Sequence, residues 1–277
     1  MILDGKKIAA EIYDEIEAEI QWLDTPPKLG IVLVGDNPVS LKYIEQKQKA
    51  AKKVWIDFEL LKLEEFIIEE ELIEKLEELN DDPSISGYIV QLPLPSHITD
   101  EKILATISPL KDIDGFHPAN QWAILIGNKN AFTPCTPAGI MELLHKQNID
   151  IKWKKVCVIG RSNIVWKPLT MLLINAGATV TSCNSHTTNL QSHTKNADII
   201  ISATGQTQLI WVDHLKDNTT VVIDVGFQYQ WTKISGDCDF ENIHANGNLV
   251  TPVPWGVGPM TVAMIMKNTL KAYHLNH

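Results

Sequence analysis

Apolar residues along the chain recur at two periods, and the alternation between them predicts its elements. Between residues 3 and 20, Ile8, Ile12, Ile16 and Ile20 stand four apart, the spacing of one helix face. Pro26-Pro27 end that helix, and Leu29–Val34 follows as a short apolar strand closed by Gly35. The pattern continues with a helix from about Val39 to Val54, a strand at Ile56–Leu63 and a helix at Glu69–Asn80. Next come a strand at Gly87–Leu92 and a short helix at Thr99–Ile107. Thr136, as N-cap ahead of Pro137, predicts a helix to about Asn148. Val156–Ile159 is an apolar run ended by Gly160, and Pro168 falls in the first turn of a helix reaching Asn175. Ala178–Cys183, Ile199–Ala203, Val221–Val225 and Leu249–Val250 add four strands, and Met260–Tyr273 a closing helix. Strands alternating with helices at these lengths imply βαβ units, so the expected class is α/β with mainly parallel sheets.

A chain of 277 residues, 44% hydrophobic, is long enough for two cores. The expected domains are 1–118, with a C-terminal helix at about 260–277 packing back onto it, and 121–259. A formal charge of −10 argues against nucleic acid as a partner, because phosphate binding needs clustered basic residues. No apolar run reaches membrane-spanning length, and the expectation is a soluble, cytoplasmic protein. Cys135, Cys157, Cys183 and Cys238 stand singly, which predicts reduced thiols, and the scattered histidines predict no metal site.

In parallel sheets ligands bind beyond the carboxyl ends of the strands. Three stretches of the first half fall there. Ser40, Tyr43 and Lys47 share one face of the second helix. Gln91 ends a strand, and its amide can orient a ligand but cannot titrate. Lys111-Asp112-Ile113-Asp114-Gly115 reads either as a plain Asp-Gly turn or as a carboxylate placed to accept paired hydrogen bonds.

In the second half, the strand–glycine–helix passage at Gly160 reads either as an ordinary connection or as a phosphate site, since free backbone N–H groups point outward at a helix start. Arg161 adds a fixed cation. The five strands from Val156 onward form a Rossmann-like, doubly wound, dinucleotide-binding pattern. Where an NAD site carries an acid after its second strand, this chain has Asn184-Ser185-His186-Thr187, so NADP is the expected cofactor.

Taken together the motifs resemble the bifunctional methylenetetrahydrofolate dehydrogenase/methenyltetrahydrofolate cyclohydrolase family over nearly the whole chain. The resemblance rests on Ser40-x-x-Tyr43-x-x-x-Lys47, Val90-Gln91-Leu92-Pro93-Leu94-Pro95, Lys111-Asp112-Ile113-Asp114-Gly115-Phe116 and Pro134-Cys135-Thr136-Pro137. It continues through Gly160-Arg161-Ser162, Asp224-Val225-Gly226, Gly236-Asp237 and the segment from Thr251 to Thr261. It implies a folate-binding first domain, an NADP-binding second domain, a cleft between them and a homodimer. The implied activities are oxidation of 5,10-methylenetetrahydrofolate and hydrolysis of the methenyl product to 10-formyltetrahydrofolate. By the same resemblance Lys47 is the catalytic base, Tyr43 stacks on folate, Gln91 holds the lysine and Asp114 clamps the pterin. Gly160, Arg161, Ser162, Ser185 and Phe227 match the cofactor positions. The rival reading is a homologue with an impaired cofactor site, keeping only cyclohydrolase activity or folate binding. A two-domain hydroxy-acid dehydrogenase is disfavoured, because Arg161 is the only arginine and no other remains to clamp a carboxylate.

The chain holds eight tryptophans, and all but Trp22, which lies in a variable segment, depart from the family pattern. Trp55, Trp122, Trp153, Trp166 and Trp255 stand where the family has glycine, and the same reading extends to Trp211 and Trp231. The expectation is that UGA codons read as glycine in the source organism appear here as tryptophan.

Overall fold

The computed structural model describes residues 2–230 and 233–276. Trp231 lies outside them. The chain divides into two compact units, Ala10–Cys135 with Val262–His277, and Met1–Ala9 with Thr136–Thr261. The first nine residues join the second unit through Leu3 N–H, which donates to the Val250 carbonyl at 3.0 Å.

Elements of the first unit follow the apolar pattern. Helix α1 is Gly5–Ile20, strand β1 Lys28–Val34 and helix α2 Pro38–Lys53. Strand β2 (Asp57–Leu63), helix α3 (Glu69–Asp81), strand β3 (Gly87–Val90) and helix α4 (Asp100–Thr106) come next. Helix α5 (Pro118–Leu125) was not marked by the periodicity. Its eight residues are too few for a clear apolar stripe. The sheet runs β2-β1-β3, all parallel, with β1 central. Residues 29–34 and 87–90 are buried, as a parallel sheet covered on both faces requires. Helix α2 starts where it does because Asn37 Oδ1 accepts from Val39 N–H at 2.9 Å and Ser40 N–H at 3.3 Å, while Pro38 opens the first turn.

The second unit holds strands β4 (Lys155–Ile159), β5 (Thr179–Cys183), β6 (Ile199–Ser202) and β7 (Val221–Asp224). A hairpin of β8 (Phe227–Gln230) and β9 (Lys233–Gly236) precedes the short strand β10 (Leu249–Val250). Its helices are α6 (Cys135–Lys146), α7 (Trp166–Asn175), α8 (Leu190–Thr194) and α9 (Phe240–Ala245), while α10 (Val257–Asn276) opens in this unit and from Val262 onward belongs to the first. The parallel sheet runs β10-β7-β6-β4-β5. Counted along the chain this is order 2-1-3-4-5, a doubly wound sheet whose switch point lies between β4 and β6.

Two local expectations need correction. Thr136 is not an N-cap, because α6 already begins at Cys135, and the Thr136 hydroxyl pairs instead with that of Thr261 at 3.0 Å. The closing helix starts at Val257 rather than Met260. Pro259 falls in its first turn, where a missing N–H costs nothing.

Candidate active site

Three of the residues singled out in the first half meet. Lys47 Nζ donates to Gln91 Oε1 at 2.9 Å, and Gln91 Nε2 donates to the Leu92 carbonyl at 2.8 Å. The second bond fixes which end of the amide faces the lysine. Burial pushes the Lys47 ammonium below its ordinary pKa, and the nearby Asp114 carboxylate opposes that shift. Asp114 is affected in the opposite sense. Burial raises its carboxyl to about 6, and Lys47 holds it from going higher. Tyr43 lies half-buried on α2, one turn before Lys47.

The Asp114 turn is more than a bland Asp-Gly turn. A Cβ on Gly115 (φ +71°) would lie 2.7 Å from Pro134 N and 2.9 Å from the Phe132 carbonyl oxygen. Glycine therefore lets the strand of chain at 132–134 pass close by, which brings Cys135 beside Asp114. The Cys135 thiol lies 3.3 Å from the Ile113 carbonyl, and its pKa is raised by burial. Asp112 braces the turn by accepting from Phe116 N–H (3.1 Å), His117 N–H (2.8 Å) and Asn120 Nδ2 (2.8 Å). Lys111 turns away and donates to the Leu79 and Asp82 carbonyls at 2.9 and 2.6 Å, closing the end of α3. Asn268 of α10 donates to the Ile113 and Thr133 carbonyls at 2.7 and 3.2 Å. Sequence reasoning missed Asn268 and gave Cys135 no role. Neither carries a local signal, since each acts through partners more than 20 residues away.

The proposed cofactor residues occupy the carboxyl edge of the second sheet. Gly160 ends β4 beside the switch point with φ +148°, and a Cβ there would lie 2.8 Å from the Ala203 carbonyl oxygen. Only glycine allows that approach, so the cradle suits a dinucleotide phosphate. Arg161 is exposed. Ser162 Oγ accepts from Val165 and Trp166 N–H, both at 3.2 Å, and so caps α7. Ser185 follows β5 and is exposed, while Phe227 opens β8 just past β7. These two are separated by the width of β4 and β6, so they mark separate portions of the edge.

Behind that edge sits a carboxylate pair whose members the sequence marked only as motif residues, without a role. Asp237 Oδ2 accepts from Ser202 Oγ, Thr204 N–H and Thr204 Oγ1 at 2.7 to 2.8 Å. Asp224 accepts from Asp237 N–H and Cys238 N–H, each at 2.9 Å, and burial pushes its carboxyl up to about 7. Together they tie the loop after β6 to the hairpin.

Fold and site define a class first: an α/β enzyme with a dinucleotide-type sheet in one unit and a buried lysine–glutamine pair in the other. Comparison with known proteins narrows it. Residues 3–114 match the family model described as tetrahydrofolate dehydrogenase/cyclohydrolase, catalytic domain, and residues 134–277 match its NAD(P)-binding domain. The bifunctional protein FolD of Hydrogenobaculum sp. is 48% identical over 98% of both chains. That of Bacillus subtilis is 44% identical over 98% of this chain and 96% of its own. The solved FolD structure from Campylobacter jejuni superposes with a TM-score of 0.98 at 42% identity, covering 100% of this chain and 99% of that one. The Trypanosoma brucei FolD complexed with NADP cofactor and inhibitor superposes at 0.92 with 33% identity, over 99% and 97% of the two chains. The chain belongs to the tetrahydrofolate dehydrogenase/cyclohydrolase family.

Proposed function

We infer that this protein carries out two consecutive steps on one folate carbon. The first is NADP-dependent oxidation of 5,10-methylenetetrahydrofolate to the methenyl form, and the second is hydrolysis of that cation to 10-formyltetrahydrofolate. The single observation that carries the reading is a buried lysine whose amine is held by an oriented glutamine amide at 2.9 Å.

The unit formed by Ala10–Cys135 and Val262–His277 is the folate-binding one in this reading, and the five-stranded unit binds the nucleotide. Bound NADP⁺ supplies the hydride acceptor, and the protein's task in that step is alignment. Gly160 and Ser162 shape the turn that receives the pyrophosphate. Arg161 and Ser185 face the ribose phosphate, and Phe227 lies along the edge the cofactor crosses. Asp114 accepts the paired N–H groups of the pterin, and Tyr43 stacks on the ring.

In the hydrolytic step Lys47 is the general base. Burial already disfavours its ammonium, and an approaching cationic methenyl group disfavours it further. The neutral amine takes a proton as water oxygen bonds the methenyl carbon. One ring carbon–nitrogen bond then breaks as the new hydroxyl gives up its proton to solvent and becomes the formyl oxygen. The released nitrogen takes back the proton held by the lysine, leaving the formyl group on the other nitrogen.

No helix among the described residues is long and apolar enough to cross a membrane. The four cysteines are free, which fits a reducing compartment, and a cytoplasmic homodimer is the assembly proposed. The product is an activated formyl donor, suited to formyl-transfer steps such as those of purine biosynthesis. Spectrophotometry with methylenetetrahydrofolate and each nicotinamide cofactor tests the whole reading. NADP reduction followed by loss of the methenyl absorbance is expected, and loss of only the second phase in Lys47→Met. Hydrolysis unchanged in that variant would remove the lysine from the mechanism.

A further inference from the structure

Tryptophan carries the largest apolar side chain, and folding gains most by burying it. Here the reverse holds. Trp22, Trp55, Trp122, Trp153, Trp211 and Trp255 are 46–83% exposed.

The backbone gives a sharper signal. Six described non-glycine residues have positive φ, and three of them are tryptophan: Trp55 (63°), Trp153 (67°) and Trp255 (90°). Asparagine and glycine visit this region readily, but for a bulky residue it is a true outlier.

Trp55 can be judged against the chain's own helix ends. Five helices close with the same six-to-one bond. Asn128, Ile149, Ala178 and Asn248 N–H donate to the carbonyls of Ala123, Leu144, Leu173 and Ile243, and Ile56 N–H to that of Ala51. The left-handed residue of each motif is Gly127, Asn148, Gly177, Gly247 and, for α2, Trp55. This is the position that glycine, and after it asparagine, occupies. Trp153 is the third residue of a turn closed by Lys154 N–H donating to Ile151 O at 3.1 Å, where positive φ calls for glycine. Trp255 stands between Pro254 and Gly256, with its carbonyl pinned by Lys6 N–H at 3.0 Å.

Trp166 is hostile for a different reason. Its indole Nε1 donates to the Val158 carbonyl at 3.3 Å, and its Cδ1 lies 3.3 Å from where a Cβ on Gly160 would be. The ring therefore lies over the glycine cradle at the switch point, in the space a dinucleotide phosphate needs.

We propose that positions 55, 153, 166 and 255 carry glycine in the protein made by its source cells, through UGA codons read there as glycine, and that glycine at 166 is what opens the phosphate cradle beside Gly160. The part concerning position 166 rests on the NADP reading above; the rest does not.

Peptide mass spectrometry of the protein purified from its source cells tests the decoding without folate or cofactor. Glycine at all four positions is expected. Tryptophan there, or UGG codons in the gene, would overturn it. The recombinant tryptophan-bearing chain tests the physics. Trp55→Gly, Trp153→Gly and Trp255→Gly should each raise Tm by about 2–4 °C, whereas Trp22→Gly, at a position without positive φ, should not. A fall in Tm in the first three would sink the strain argument. Trp166→Gly should tighten NADP binding at least about tenfold, read by equilibrium titration without turnover. Unchanged affinity would overturn the role of position 166. If neither chain bound NADP, the cofactor reading would fall while the mass result still stood.

Discussion

Lys47 and Gln91, 44 residues apart in sequence, are joined by a hydrogen bond of 2.9 Å from the lysine amine to the glutamine carbonyl oxygen. The amide accepts without contributing a charge, so it holds the amine in place while burial keeps its pKa below the usual lysine value. A carboxylate in that position would stabilise the ammonium instead. Gln91→Glu is therefore expected to raise the lysine pKa. Hydrolysis at neutral pH should fall, and its rate should recover only as pH is raised. An unshifted pH–rate profile would show that the pair does not set the base. Lys47→Met should cost about 10²–10⁴-fold in hydrolysis, measured by decay of methenyl absorbance.

Asp114 titrates near the working range, with its carboxyl raised to about 6. Below that pH it is protonated and loses acceptor capacity, so folate KM should rise as pH falls through about 6. Asp114→Asn should raise KM at neutral pH and remove this dependence. A wild-type KM flat from pH 5 to 8 would speak against the pterin clamp.

The same group and Asp224, raised to about 7, link stability to pH. Both have folded pKa values above the ordinary carboxylate value, so between about pH 4 and 7 the folded chain binds more protons than the unfolded one. Stability should therefore decrease as pH rises through that window and level off above it. Denaturant midpoints measured at pH 5 and 7.5 check the sign, and a higher midpoint at 7.5 would contradict it.

Asn268 holds two carbonyls of the Asp114–Cys135 surroundings. Asn268→Ala leaves both acceptors short of a donor and should destabilise by about 1–3 kcal/mol. It should also raise folate KM more than it changes kcat, because it loosens the turn without removing the base. Chemical denaturation and steady-state kinetics read the two effects.

All four cysteines are buried, and burial raises the thiol pKa values of Cys135, Cys157 and Cys238. The native protein should resist a thiol-specific reagent at neutral pH and release four reactive thiols only on unfolding. Rapid labelling of the folded chain would show that one of these sites is open.

The sequence by itself determined the α/β class, since the buried runs at β1, β3, β4, β6 and β7 and the four-apart isoleucines of α1 are local patterns. It also marked Gly160 and the Asp114–Gly115 turn as special, because strand-to-helix glycines and Asp-Gly pairs carry their own backbone chemistry. Only the tertiary structure decided the strand order β5-β4-β6-β7-β10, the start of α6 at Cys135 and the pairing of Thr136 with Thr261. It alone brought Cys135 and Asn268 to Asp114, and tied Asp237 to Ser202 and Thr204. The reason is range. Periodicity and turn chemistry act within a few residues, whereas desolvation and hydrogen bonding at these sites join groups dozens to more than a hundred positions apart.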